Sequence, residues 1–284
     1  MNRFSYTVDW HPFMFCLRIA LWLGVSLWMT ALGEATFGQT SEPNRKDEPL
    51  AESFSMEKAI AFTDVAASNW QSDHNCVTCH TNGLYLVARA MTDPESPKLD
   101  DARSYAADYL AAFIDEGQTT RGQRGSVEGI VATTAYLAIS EQLASGGLND
   151  STKRYLEHIW TLQNEAGCWD WLKCNWPPFE VDDHYGATLV AIACGETGAE
   201  NFESEAVTNG VRRLRQYLND VPTANLHQKA MMLWAAHSFD GIADTDKKTI
   251  WIREIVEFQQ ADVGWSSAEL GCGLWKRSDR TPQD

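Results

Sequence analysis

Two short stretches of this chain gather side chains able to do chemistry. The first is Cys76-Val-Thr-Cys79-His80. Two thiols two residues apart, with an imidazole beside the second, form the attachment pattern of c-type haem. The sulfurs make thioethers to the vinyl groups and the histidine reaches the iron. A sixth ligand would come from Met91, Met231, Met232 or His74, or the iron would stay five-coordinate. With His74 as a fourth donor, Cys76, Cys79 and His80 also have the composition of a zinc site. The thiols alone could act as a redox dithiol or close a disulfide.

The second stretch is Glu180-Val-Asp182-Asp183, followed by His184-Tyr185-Gly186. Like charges raise one another's pKa, so crowded carboxylates can hold one member protonated as an acid. Trp169, Trp171, Trp176, Phe179 and Tyr185 lie nearby in sequence and offer aromatic faces to a cation. The same acids precede a helical pattern, where Asp and Glu are ordinary N-caps; binding a cation is a third use. Cys168 and Cys174 could pair in an oxidising compartment or remain buried thiols. Cys194 falls on an apolar helix face and reads as core. His227 and His237 share a helix face. Arg212, Arg213 and Arg215 read as a solvated helix face or an anion site.

The elements that must position these groups read as helices. Candidate spans are 56–67, 101–116, 126–145, 150–164, 184–197, 204–219, 225–238 and 245–260, with a short helix around Leu84–Arg89. Val127, Ile130, Val131, Thr134, Leu137 and Ala138 predict one apolar face at helical spacing. Asn149-Asp150-Ser151 supplies a helix start, and Gly195, Gly198 and Gly241 are expected just past helix ends. No alternating strand of any length is present. The pattern predicts an all-α domain of antiparallel helix pairs.

An internal repeat runs through it. Gln163-Asn-Glu-Ala-Gly167-Cys-Trp169 returns 96 residues later as Gln259-Gln-Ala-Asp-Val263-Gly-Trp265, with Val263 where the first copy has Gly167. Each copy follows an amphipathic segment, Ile159-Trp-Thr-Leu162 or Ile255-Val-Glu-Phe258. Such a unit cannot bury its face alone and must stack on neighbours.

These residues resemble the QW repeat of squalene–hopene cyclases and the related protein prenyltransferases. The stretch from about 125 to 275 is similar to a planctomycete-type group of them. It carries Cys174-Asn-Trp-Pro-Pro-Phe-Glu180, Asp182-Asp-His-Tyr-Gly186 and Leu226-His-Gln-Lys-Ala-Met231, after an N-terminal CxxCH-T segment. The resemblance implies an α/α toroid, incomplete here, of antiparallel helix pairs with QW-like repeats. It also implies an acid motif of the D-x-D-D kind. Asp182 matches the acid that protonates an alkene, Asp183 matches the last residue, and Glu180 replaces the first. The activity so implied is isoprenoid cyclisation or isomerisation, which needs no cofactor. The prenyltransferase zinc ligands have no match by motif.

At the N-terminus, Arg3 and Arg18 precede an apolar run over residues 19–32, followed by small residues such as Ala31, Gly33 and Ala35. This is the pattern of an export signal, short for a membrane span, with an uncleaved anchor as the rival. The expected organisation is a signal or anchor over 1–38 and a flexible linker over 39–54. A CxxCH segment follows over 55–98, and the toroid over 99–284 is expected to be truncated at its C-terminus. A net charge of −16 argues against nucleic acid or an anionic lipid surface as a charge-driven partner. The chain is therefore expected to be exported, periplasmic or membrane-associated through its N-terminus. Three functions are in view. One is a cyclase acting on an isoprenoid or other apolar lipid. Another is a haem c protein with a redox partner and the toroid as scaffold. The last is a non-catalytic toroid that binds lipid or a partner.

Overall fold

In a computed structural model, all the described residues belong to one compact unit within Glu52–Asp284. The structure describes residues 53–74, 77, 81–118, 124–173, 177–199, 202–261, 263–272 and 275. The export segment 1–38, most of the linker 39–54, and Cys76, Cys79, His80, Cys174 and Trp176 lie outside the described residues. Among the described residues no helix is long and apolar enough to cross a membrane.

The described residues form ten α-helices and no strand. They are α1 (Met56–His74), α2 (Asn82–Thr92), α3 (Pro97–Leu110), α4 (Arg124–Ser145), α5 (Asp150–Ile159), α6 (Asp183–Thr197), α7 (Glu205–Asp220), α8 (Leu226–Ser238), α9 (Thr245–Glu257) and α10 (Ser267–Leu270). A π turn over Ala111–Asp115 extends α3, and a 3₁₀ turn over Trp160–Leu162 extends α5.

The packing follows from where the apolar residues fall. Helices α2, α4, α6 and α8 form a row in which each packs on the next. Helices α3, α5, α7 and α9 lie against that row, α3 on α2 and α4, α5 on α4, α7 on α6, and α9 on α8. The second set is amphipathic: α7 buries Val207, Gly210, Val211, Leu214 and Leu218, one stripe at helical spacing. Two of the row helices, α4 and α6, are buried on nearly all sides, whereas α2 and α8 each keep an exposed face. Along α4, Val131, Ala132, Thr133, Thr134, Ala135, Tyr136, Leu137 and Ala138 are all buried, not the single face expected from the sequence. The reason is that α2, α3, α5 and α6 pack around it. Helix α6 is buried from His184 to Cys194. Gly195 lies inside α6 rather than past its end, where the backbone of Ser238 and Phe239 leaves no room for a Cβ. Gly198 is the left-handed C-cap, as the sequence suggests.

The two repeat copies build the same turn. In the first, Gln163 Nε2 donates to the Gly167 carbonyl at 2.9 Å and Trp169 Nε1 to the Ile159 carbonyl at 2.8 Å. In the second, Gln259 Nε2 donates to the Val263 carbonyl at 2.8 Å and Trp265 Nε1 to the Ile255 carbonyl at 2.7 Å. The glutamine amide closes the turn while the indole ties it to the preceding helix. What differs is the cover. Over the first copy lies α7: Gln163 Nε2 also reaches the Gly210 carbonyl, and the Trp160 ring fills the space where a Cβ on Gly210 would stand. Gly167 has φ +90°, and a Cβ there would meet the Arg213 carbonyl. Val263 takes the same left-handed region, φ 63°, with its side chain 72% exposed. A β-branched residue is strained there, and only the open surroundings admit it.

Candidate functional site

Asp182 and Asp183 stand at the start of α6, and Asp182 is its N-cap: one oxygen accepts from the Tyr185 amide at 3.2 Å. The other accepts from Gln228 Nε2 at 2.9 Å, so the first turn of α8 is tied to the mouth of α6. Asp183 accepts from the Trp171 amide at 3.0 Å and pairs with Lys173 Nζ at 2.8 Å. Glu180 is buried, 9% exposed. The capping role foreseen for these acids is therefore present for Asp182. It arises because α6 starts buried and its orphan amides need an acceptor.

Tyr185, in the first turn of α6, is the hub of an aromatic cluster. Trp171 lies 6.0 Å away, Phe179 meets it edge-on at 5.5 Å, and His227 stacks on it at 6.0 Å and 17°. Trp275 meets His227 edge-on at 5.6 Å. The Trp171 ring occupies the place of the missing side chain of Gly186, and its Nε1 donates to the Phe179 carbonyl. Of the five aromatics expected around the acids, Trp171, Phe179 and Tyr185 thus come together. Trp169 sits apart, fully buried against Trp160 in the repeat turn. Trp176 lies outside the described residues.

The structure adds two groups that no local motif announces. Tyr136, from the middle of α4, shares a short hydrogen bond with the Tyr185 hydroxyl. Glu128, buried near the start of α4, accepts from the Leu172 amide at 2.6 Å. Burial raises the Tyr136 phenol to about 12, and raises that of Tyr185 well above its ordinary value; the nearby Glu128 charge adds to both. Both hydroxyls are therefore neutral at neutral pH, and in the bond they share one donates to the other. These residues are 44 and 49 positions from their partners, so spacing could not reveal them.

Of the two imidazoles nearby, His227 stacks on the cluster at Tyr185, and His184 lies against Tyr217. Burial pushes His227 down from 6.5 to about 4, partly offset by the Asp182 charge and reinforced by His184. His184 is 3% exposed, neither of its ring nitrogens has a hydrogen-bond partner among the described residues, and its pKa is also lowered by burial. Both rings are held neutral. His237, on the same helix as His227, is exposed. The sign of the pH dependence follows. The unfolded chain takes up a proton at His227 near pH 6.5 and the folded chain only near 4, so acid favours unfolding across that window. Urea titrations of the wild-type chain should show stability falling by up to about 3 kcal/mol from this group as pH drops from 7 to 4. His227→Phe, which keeps the stack on Tyr185, should remove that share of the slope; an unchanged slope would refute the assignment.

The other sequence candidates resolve simply. Cys168 is a buried free thiol, raised by burial, and Cys194 is buried in the core face of α6. Arg213 donates to the Asn164 carbonyl. Arg215 donates to the Asp240 carbonyl and lies 4.6 Å over the Phe239 ring. These two arginines serve helix packing. Among the described residues no group of three His, Cys, Asp or Glu side chains is placed to hold a metal.

A second feature lies beside the CxxCH segment. An apolar groove of about 380 Å³ opens between α1 and α2, lined by Met56, Ile60, Phe62, Leu84 and Ala88, with Thr81 and Arg89 also contributing. Helix α1 is held to α2 by polar contacts more than by burial: Ala67 is its one fully buried residue. Asp64 accepts from the Tyr85 hydroxyl at 2.8 Å and Arg89 Nε at 3.0 Å, and Asn82 Nδ2 donates to the Ala67 carbonyl. Val77, inside the motif, is buried at 3% exposure. Met91 is 71% exposed and does not line the groove, whereas Met56 does.

No family model, no curated protein and no solved structure matches this chain.

Proposed function

We propose that this protein is an exported c-type haem protein whose redox centre sits on a toroid-type scaffold of helix pairs. Cys76 and Cys79 would hold the haem and His80 would bind its iron. The observation that carries the reading is the α1–α2 groove. The motif lies in the connection between the two helices that wall it, and Thr81, the residue after His80, lines it. Its volume is in the range of small-molecule and cofactor sites, ~300–1,000 Å³, and its lining is predominantly apolar, as a macrocycle requires. Bound haem supplies a one-electron couple at the iron.

The chain's own residues do the rest. Met56, Ile60, Phe62 and Leu84 would exclude water from the ring faces, and Val77, between the two thiols in sequence, is buried. Arg89, held by Asp64, Asp93 and Ser96, is the cationic side chain of the lining and would be the group available to a carboxylate of the bound cofactor. Met56 is the methionine available from the lining as a further iron ligand. The alternation of row helices with covering helices is the layout expected of an α/α toroid. A visible spectrum of the exported chain, oxidised and reduced, tests the proposal: a haem c spectrum is expected, and a colourless protein matured in a haem-attaching host rejects it.

The α6 mouth favours a second reading, a cyclase-like acid site. Asp182 lies beside Tyr185 and a cluster of aromatic faces suited to a carbocation. On that reading Asp182→Asn would cost about 100-fold or more in cyclisation of squalene while binding persists. Absence of any cyclised product from the wild-type chain rejects it.

A further inference from the structure

The two repeat copies make the same hydrogen bonds but meet opposite surroundings. Leu156 and Trp160 of the first copy are 0% and 2% exposed, and Trp169 is 0% exposed. Their counterparts 96 residues on are Ile252, Val256 and Trp265, at 53%, 56% and 38%. The first copy therefore shows what such a face is built to do: it packs under a helix. In the second copy Phe258 and Val263 widen the exposed patch, at 45% and 72%. An apolar patch of this kind on one helix edge marks an interaction surface.

We infer that this α9 face is a self-association surface, on which a second copy of the chain packs through the same residues. Size is the first argument. The first copy matches a large ring, Trp160, to a glycine, Gly210. The second copy has the smaller Val256 at that position, so its cover must bring a side chain rather than a gap. Ile252 and Val256 of a second copy are of that size. Charge is the second argument. The chain carries −16, which opposes self-contact over most of its surface, yet α9 has three basic residues (Lys247, Lys248, Arg253) and three acidic ones (Asp246, Glu254, Glu257). Arg253 and Glu257 flank the apolar stripe on one side and are exposed. An antiparallel two-fold pairing about Ile252 and Val256 brings Arg253 of each copy beside Glu257 of the other. This is the self-complementary arrangement an isologous interface needs.

Sedimentation velocity of the full chain over a concentration series tests this. A dimer is expected for the wild type, and Ile252→Glu with Val256→Glu should weaken it at least about tenfold, because burying unpaired carboxylates is costly. Met91→Glu, a charge placed on an exposed apolar residue elsewhere, should leave it unchanged. Arg253→Glu alone should weaken the dimer and Arg253→Glu with Glu257→Arg should restore it, which keeps the test open if the double glutamate variant misfolds. A wild-type chain that stays monomeric at 100 times the working concentration, or a dimer indifferent to all α9 variants, overturns the inference. So does saturable binding of a different polypeptide at α9 by a chain that does not self-associate.

Discussion

Replacing Cys76 and Cys79 together by serine is expected to abolish covalent haem, taking the bound content from about one per chain to none. The thioether bond requires sulfur at both positions, and a hydroxyl cannot replace it. The measurement is a haem-specific stain on denatured protein after maturation in a haem-attaching compartment, with absorption spectra of the native form. The single variants should each retain one thioether and a shifted spectrum. Ala88→Trp tests the groove separately. Ala88 is exposed and lines the groove, so an indole there should occupy the space of the macrocycle and sharply reduce haem content while α2 still folds. If the double serine variant and the wild type were equally colourless, the thiols would belong to a dithiol or metal site, and thiol titration would then count them free.

The second large effect separates the repeat copies. Trp169→Ala should destabilise the chain by about 3–5 kcal/mol, because a fully buried indole packed on Trp160 is deleted and the Ile159 carbonyl loses its donor. Trp265→Ala removes the same hydrogen bond but a 38% exposed ring, and should cost about 1 kcal/mol. Val263→Gly should act in the opposite direction. It relieves a left-handed β-branched residue, worth roughly 1–2 kcal/mol, against the entropy a glycine adds to the unfolded chain, leaving a gain of up to about 1 kcal/mol. Chemical denaturation of the three variants gives all three numbers. Equal losses for the two tryptophans would mean that the second copy is covered after all, by a self-association that persists at the assay concentration.

Much of the helical layout was legible in the chain. Val207, Gly210, Val211, Leu214 and Leu218 show the covering helix α7 directly, since a helix with one wet face must carry an apolar stripe. The row helices α4 and α6 were legible as helices but not as wholly buried ones, because burial on all sides depends on how many neighbours arrive. Gly195 shows the same limit: a glycine near a helix end reads as a cap, and only the close approach of Ser238 gives its use.

The candidate site divides along the same line. By itself the sequence determined that the chain is helical, that two repeat turns recur with glutamine and tryptophan at fixed spacing, that Asp182 precedes a helix, and that two thiols and an imidazole sit together at residues 76–80. These are local facts, fixed by residue type and by contacts a few positions apart. The tertiary structure alone decided that Gln228 holds Asp182, that Tyr136 and Glu128 join Tyr185, that Trp169 turns away from the acids, and that a groove opens between α1 and α2. Each of these depends on groups brought together from distant parts of the chain, and side-chain complementarity across packed helices leaves no periodic trace in either partner's sequence.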